Sequence, residues 1–420
     1  MRLLCISNGH GEDQIGARIL EALQKLAPEI ETTALPIVGL GTAYQNLGIA
    51  IAGPVEVMPS GGFIYQDGRQ LWRDLRAGLL GLLGKQVRAI QAWESENQSL
   101  KTRGIILAVG DIVPLGLAGL SRSDYGFVGT AKSEYYIRDE TGKLLSHRWG
   151  LGWAGSDYLP WEQWLMARPG CVAVFARDEL THQVLTGLGI RSFNCGNPMM
   201  DELPSPAAPR ESYPQALTIT LLPGSRPPEA YQNWQRILAA IQQFPSYQPN
   251  CLFLAAISPG LELAEILNPL VSFGWKKIAR PAWLKIGDSA ALTFQQNQGY
   301  LVLTQQAYSD CLHLGDLAIA QAGTATEQCV GLGKPVITFP GQGPQFTPLF
   351  ARCQARLLGI SVHLVENPTA VMPKIIELRN DHPRLDLIRQ NGQQRMGQPG
   401  AAQNIANRIC QLLNPNRDGI

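Results

Sequence analysis

The stretch Leu217-Thr218-Ile219-Thr220-Leu221-Leu222-Pro223-Gly224-Ser225-Arg226 decides the fold. Six apolar or β-branched residues make a strand, Pro223-Gly224 ends it, and a helical pattern follows. The same unit recurs along the chain. Leu3–Ser7 runs into Gly9-His10-Gly11 and a helical pattern from Asp13 to Leu26. Gly104–Val109 ends at Gly110-Asp111, and Cys171–Phe175 precedes a helix from about Asp178. Cys251–Ala256 ends at Ser258-Pro259-Gly260, and Leu317–Ala320 leads to Gly323-Thr324-Ala325-Thr326. Pro335–Phe339 leads to Pro340-Gly341-Gln342-Gly343-Pro344. Short apolar strands alternating with helices predict an α/β protein whose parallel sheets are covered on both faces. Pro204, Pro206, Pro209 and Pro214 mark residues 204–215 as a linker. The expectation is two Rossmann-like domains, over 1–203 and 216–400, facing each other across a cleft. A last helix at 401–413 is free to pack back on the first. Ligands belong at the carboxyl ends of the strands, where the loops gather.

Composition narrows the function. The 420 residues are 45% apolar and 16% charged, and the formal net charge is +1. Mean hydropathy is −0.04. A disordered chain and a multispanning membrane protein are excluded, and no basic field argues for nucleic acid. The apolar run Leu3–Ile6 is too short for a signal peptide. The eight cysteines form no C-x-x-C and sit mostly in apolar runs, as reduced thiols of a cytoplasmic protein do. Residues 32–55 carry no charge, but Pro36, Gln45, Asn46 and several glycines read as strand, turn and short helix rather than a membrane span.

Three strand-end loops of the second half precede helices: Gly224-Ser225-Arg226, Gly323-Thr324-Ala325-Thr326, and Gly341-Gln342-Gly343 with Gln345 beyond. Helix N-termini offer unpaired N–H groups and partial positive charge, which suit a diphosphate. Arg226 adds a permanent bidentate cation. Glu327 and Gln328 are placed to accept from ribose hydroxyls. Each glycine loop alone reads as an ordinary turn; three in one half-chain, with Arg226, point to an anionic ligand. No Walker A pattern and no G-x-G-x-x-G follows a strand, which disfavours ATPase and dinucleotide readings.

These residues resemble the lipid-A-disaccharide synthase family of GT-B glycosyltransferases. Ser7-Asn8-Gly9-His10-Gly11-Glu12-Asp13-Gln14-Ile15-Gly16 is similar to the family's S-G-E-A-S-G-D-x-x-G, matching at Ser7, Asp13 and Gly16. Gly196-Asn197-Pro198-Met199-Met200-Asp201 resembles G-H-P-L-x-D, Leu221–Arg226 equals L-L-P-G-S-R, and Ala322–Ala325 resembles S-G-T-A. A second likeness, through Gly9-His10 and Gln345, is to the peptidoglycan N-acetylglucosaminyltransferase. The resemblance implies a GT-B fold and a UDP-sugar held by the second domain. It also implies inversion at the sugar carbon and a lipid acceptor at the inner face of a membrane. It places Arg226 on the UDP, the Gly323–Thr326 turn on the diphosphate, and Gly9, Gly11 and Asn197 among the binding residues. It makes Asp111 a residue required for activity. Two departures stand out. Gly9 replaces the family's glutamate, and the ribose-binding glutamate falls on Gln328, with Glu327 one residue early.

Inverting transfer needs a base, a stabilised leaving group and in-line geometry. Asp111, at a strand's carboxyl end, is the first candidate for the base; its competing role is N-cap of the helix from Ile112. His10, a loop imidazole, is the second. The sequence has no D-x-D, so helix N-termini and Arg226 are expected to stabilise the leaving group with no metal and no cofactor. Gln70 to Ile90 reads as a basic amphipathic helix, either lying on an anionic membrane surface or covering the sheet. Trp153, Tyr158, Trp161 and Trp164 form an aromatic stretch suited to an interface or a core. The reading is a cytoplasmic, peripheral glycosyltransferase acting between a UDP-sugar and a lipid. Its rivals are a UDP-sugar 2-epimerase, which wants more carboxylates around the sugar, and a non-catalytic paralogue that binds without turnover.

Overall fold

The computed structural model describes residues 1–9, 11–56, 79–145, 155–207, 217–242, 244 and 251–413. His10, residues 70–78 of the amphipathic stretch, Trp153 and residues 208–215 of the linker lie outside the described residues. The chain divides into two compact units, Met1–Asp201 with Gln398–Ile420, and Glu202–Gly397. The early part of the proline-rich segment belongs with the second unit. There the Ser309 hydroxyl donates to the Pro204 carbonyl at 2.5 Å and Ala207 N–H donates to Asp310 at 3.0 Å.

The first unit is a sheet in the order β3-β2-β1-β4-β5-β6-β7. Its strands are β1 (Arg2–Ser7), β2 (Glu31–Pro36), β3 (Ala50–Ile51), β4 (Gly104–Gly110), β5 (Asp124–Gly129), β6 (Cys171–Ala176) and β7 (Ser192–Asn194), all parallel. Successive side chains of a strand point to opposite faces, and both faces here are covered. Leu3 and Cys5 pack with Ile15, Ile19 and Leu23 of the Gly11–Leu26 helix, and Leu4 and Ile6 with Leu82, Ile90 and Trp93. Each fully buried aliphatic side chain contributes about 1.5–3 kcal/mol.

That second face settles the described part of the amphipathic stretch. In the Leu79–Ser99 helix, Leu82, Gln86, Ile90 and Trp93 are buried at helical spacing. Gln86 donates to the carbonyls of Pro36 (3.3 Å) and Ile37 (2.8 Å). This stripe covers the sheet rather than facing a bilayer, because the sheet needs the apolar area. Of the aromatic stretch, Tyr158 is buried, whereas Trp161 and Trp164 are 52% and 62% exposed. No helix among the described residues is long and apolar enough to cross a membrane.

The Ala401–Leu413 helix packs on the first unit through Ala402, Ile405, Ala406, Ile409 and Leu413. The Asp201 carboxylate caps it, accepting from Gly400 N–H (2.5 Å), Ala401 N–H (3.2 Å) and Ala402 N–H (2.6 Å).

The second unit is an eight-stranded sheet ordered β10-β11-β12-β9-β8-β13-β14-β15. The parallel strands are β8 (Leu217–Leu222), β9 (Cys251–Ala256), β12 (Gly299–Thr304), β13 (Leu317–Ala320), β14 (Val336–Thr338) and β15 (Val362–Leu364). The expectation of parallel strands fails at one edge, where β10 (Lys276–Ile278) and β11 (Leu292–Gln296) pair antiparallel. A tight turn makes this possible, with Asn297 at φ 51° between β11 and β12. Trp234, Trp275 and Phe253 anchor the core, and the Trp234 indole donates to the Ile266 carbonyl at 2.8 Å. None of the eight cysteines forms a disulfide; Cys5, Cys171, Cys251, Cys311 and Cys329 are buried.

Candidate functional site

In a doubly wound sheet, ligands bind where the strand order reverses, because the following loops there part to opposite faces. In the second unit that point lies between β8 and β13, and in the first between β1 and β4. Most of the described residues singled out from the sequence lie in the loops at these two edges; Asn197 follows β7 at the far edge of the first sheet.

At the β8/β13 edge, Gly224 takes φ 96°, and a Cβ there would come within 3.1 Å of the Gln321 carbonyl, so the two loops cross backbone against backbone. Gln321 N–H donates to the Leu222 carbonyl at 2.9 Å, and its side-chain amide donates to the Phe339 carbonyl at 3.0 Å. The ends of β8, β13 and β14 are thereby tied together. Glu229, at the start of the Glu229–Ile241 helix, accepts from Gln345 N–H (3.0 Å) and Phe346 N–H (2.7 Å). It thus holds the Gly341–Gln345 loop beside Gly224-Ser225-Arg226.

The Thr324–Gly331 helix begins at Gly323 with no side-chain cap. Thr326 donates to the Ala322 carbonyl at 2.7 Å, and the Gln354 amide donates to the carbonyls of Ala322 and Gly323, both at 3.1 Å. These bonds fix the turn, and the first N–H groups of a helix, here those of Thr324 and Ala325, have no acceptor within the helix itself. Ser225 and Thr324 are exposed, and Arg226 and Glu327 are half-buried. Burial lowers the Arg226 pKa from its usual value while the neighbouring Glu229 opposes this, so the guanidinium stays charged. Gln328 departs from expectation. It is 2% exposed, and its carboxamide oxygen accepts from the Tyr308 hydroxyl at 2.5 Å. That oxygen is engaged inside the fold, and Glu327 is the more open of the two acceptors.

At the β1/β4 edge, Gly9 takes φ 126°, and a Cβ would fall 2.7 Å from the Val38 carbonyl. This close approach is why glycine stands there, and a glutamate is excluded on the same grounds. Gly11 opens the first helix and is exposed. Asp111 caps the Ile112–Gly119 helix, accepting from Val113 N–H at 2.8 Å, so the capping role weighed for it is realised. Asp111 also takes a hydrogen bond from the Asn8 side chain; burial raises its pKa, and these bonds lower it.

The sequence reading passed over Glu12. It is half-buried and accepts from the Thr130 hydroxyl at 3.2 Å, just beyond β5. Burial pushes its pKa up to about 7, with the charges of Asp111 and Asp13 adding to the rise. Asp13, pushed to about 6 by burial, accepts from the Ser7 hydroxyl at 2.6 Å, which in turn accepts from the Tyr44 hydroxyl at 2.8 Å. The signal for Glu12 lay in the quoted motif itself, a carboxylate three residues past a strand-end glycine. Asn197 is buried, and its side-chain oxygen accepts from Met199 N–H at 3.1 Å; with Asp201 as a helix cap, the Gly196–Asp201 motif has a structural role. No group of three or more metal-ligating side chains occurs among the described residues.

No family model matches the chain. No curated protein matches it either. Solved structures match over nearly their whole lengths. CalG4, the calicheamicin glycosyltransferase, gives a TM-score of 0.56 at 12% identity, covering 97% of this chain and 98% of that one. MurG of Acinetobacter baumannii gives 0.55 at 12% identity, over 98% and 99%. The UDP-GlcNAc 2-epimerase of Neisseria meningitidis, solved with UDP-GlcNAc bound, gives 0.54 at 13% identity, over 99% and 100%. Two Rossmann-like sheets of parallel strands, with helices, give this chain the GT-B fold. Identities this low show the fold alone.

Proposed function

We propose that the protein is a nucleotide-sugar enzyme, and specifically a glycosyltransferase that moves a sugar from a UDP-sugar to a lipid acceptor. One observation carries the reading. Three strand-end loops are tied to a single edge at the β8/β13 switch point, with an uncapped helix N-terminus and the half-buried Arg226 guanidinium among them. Fixed N–H dipoles and a guanidinium neutralise a leaving diphosphate without reorganising. The sequence has no D-x-D to carry a metal to it. The candidates for a base are the carboxyl groups of Asp111 and Glu12, at the β1/β4 edge of the first unit.

The lipid-A-disaccharide synthase-like reading rests on the motif likeness at Ser7, Asp13, Gly16 and Leu221–Arg226. Trp161 and Trp164, exposed on the Pro160–Ala167 helix with the Arg168 guanidinium 5.1 Å from the Trp164 ring, suit a peripheral site on an anionic membrane surface at the cytoplasmic face. A second reading, UDP-sugar 2-epimerase, is favoured by a further carboxyl, Glu12, beside Asp111.

Radiolabelled UDP-N-acetylglucosamine incubated with the protein and membranes separates the readings. Label in the organic phase supports lipid glycosylation. A changed sugar nucleotide in the aqueous phase supports epimerisation. Binding of UDP without either outcome leaves a non-catalytic binder.

A further inference from the structure

We propose that the first unit carries a separate ligand site, for a phosphate monoester, at the amino ends of β4 and β5. Gly104 begins β4, and Arg122 and Ser123 lead into β5. The opposite end of β4, where Asp111 follows, is a seven-residue strand away, roughly 20 Å at the usual rise. The site lies wholly within one compact unit and holds whether or not the protein transfers a sugar.

A cavity of about 300 Å³ opens there, at the small end of ligand pockets. The last turns of the Leu79–Ser99 helix and the starts of the two strands enclose it. Three cations, Lys101, Arg103 and Arg122, stand on its walls. Among the described residues the Lys101 and Arg122 side chains have no ion-pair partner, and Arg103 meets the Asp124 carboxylate at 3.3 Å. The lining acid is Glu94. One of its carboxylate oxygens already accepts from Arg122 N–H (2.8 Å), Ser123 N–H (2.9 Å) and the Ser123 hydroxyl (2.8 Å). Nearby, Glu31 and Glu96 are both held by Arg2 at 2.8 Å. The three wall cations therefore outnumber the carboxylates beside them, Glu94 and Asp124.

Asn97 is a second, independent sign of a ligand. It lines the cavity and is 6% exposed. Its side-chain oxygen accepts from the Arg2 guanidinium at 2.9 Å, which fixes the orientation of the amide. The amide nitrogen is buried and donates to nothing among the described residues. A buried donor without an acceptor is costly, and an incoming oxygen removes that cost. Gly104 leaves the donor uncovered, because a Cβ there would collide with it. Lys101 adds to this. It takes φ 51° where the helix ends, and Thr102 N–H closes the turn on the Asn97 carbonyl at 2.9 Å. Glycine is the usual residue in that position, so a lysine is kept there at a conformational cost.

A phosphate monoester brings up to two negative charges and three terminal oxygens, which suit three cations and one amide donor. The cavity is larger than a phosphate group, so it has room for the group esterified to it. A soluble sugar phosphate and a phosphomonoester lipid headgroup share this chemistry.

The test measures binding of glucose 1-phosphate to the full chain, with glucose as the uncharged control and NMR of the Asn97 side-chain amide as the local readout. Saturable binding that shifts the Asn97 amide, and no binding of glucose, is the expected result. Lys101→Gly and Arg122→Gln are each expected to weaken binding about tenfold. Asn97→Asp keeps an acceptor for Arg2, puts a negative charge in place of the donor, and is expected to abolish binding. Lys101→Gly relieves the turn and is expected to melt no lower than the parent, so its loss of affinity is not unfolding. Vesicles of phosphatidylcholine with and without phosphatidic acid identify the source. Capture that needs phosphatidic acid and fails in Arg122→Gln points to the lipid, and binding of glucose 1-phosphate alone points to the soluble ester. Binding of neither, an Asn97 amide that does not move, or parental affinity in the Lys101→Gly, Arg122→Gln double variant overturns the proposal.

Discussion

At the β1/β4 edge, among the described residues, three acids stand together, Glu12, Asp13 and Asp111, each with its pKa raised by burial. At the β8/β13 edge the equivalent places hold Arg226 and a helix N-terminus, while the buried acid Glu229 is engaged by Gln345 and Phe346 N–H. The same strand–turn–helix frame therefore carries opposite chemistry. One edge gathers carboxyl groups whose proton affinity is raised by burial, and the other presents positive charge. The frame fixes where ligands bind, and the turn residues decide which charge they carry.

The contrast breaks most visibly at Arg226. Arg226→Ala is expected to weaken UDP binding by about 1.5–3 kcal/mol, roughly ten- to a hundredfold. Glu229→Ala is expected to lower folding stability by about 1–3 kcal/mol, because Gln345 and Phe346 N–H lose their acceptor. Urea melts would show this, and an unchanged midpoint would show that Glu229 does not hold the loop. Asp201→Ala is expected to cost about 0.5–2 kcal/mol through the loss of the Ala401–Leu413 cap. Hydrogen exchange should place that loss in the first unit, with the second unaffected.

The smallest effect concerns pH. Glu12 near 7, with Asp13 and Asp157 near 6, holds protons in the folded state that the unfolded chain releases above pH 4 to 5. Their contribution is present at low pH and declines as pH rises towards 7, so the first unit weakens over that window. His363, in the second unit, is pushed down to about 4 by burial. Its contribution is present above about 6.5 and declines as pH falls towards 4. Exchange protection of amides in β1 and β4 and in β13 to β15, compared between pH 5 and 7 and corrected for intrinsic rates, should show opposite trends. Trends of one sign would remove the electrostatic contrast.

What could be read from the sequence was local. The apolar run Leu217–Leu222, the turn at Gly224 and the cap at Asp111 lie within a few residues of their partners, so pattern and turn chemistry reveal them. Glu12 meets Thr130 118 positions away, and Glu229 meets Gln345 116 positions away; no periodicity encodes either. The helix from Leu79 was ambiguous for a different reason: an apolar stripe has the same spacing whether a sheet or a membrane covers it. Gln328 matched a motif position, yet Tyr308 occupies its side-chain oxygen, a contact between two helices that only the fold brings together.

Titration of the intact chain with UDP, followed by calorimetry, bears most directly on the diphosphate site proposed at the β8/β13 edge. Saturable one-to-one binding, displaced by UDP-N-acetylglucosamine and weakened at least tenfold by Arg226→Ala, is the expected result. No heat of binding, or equal affinity with and without the guanidinium, would contradict it.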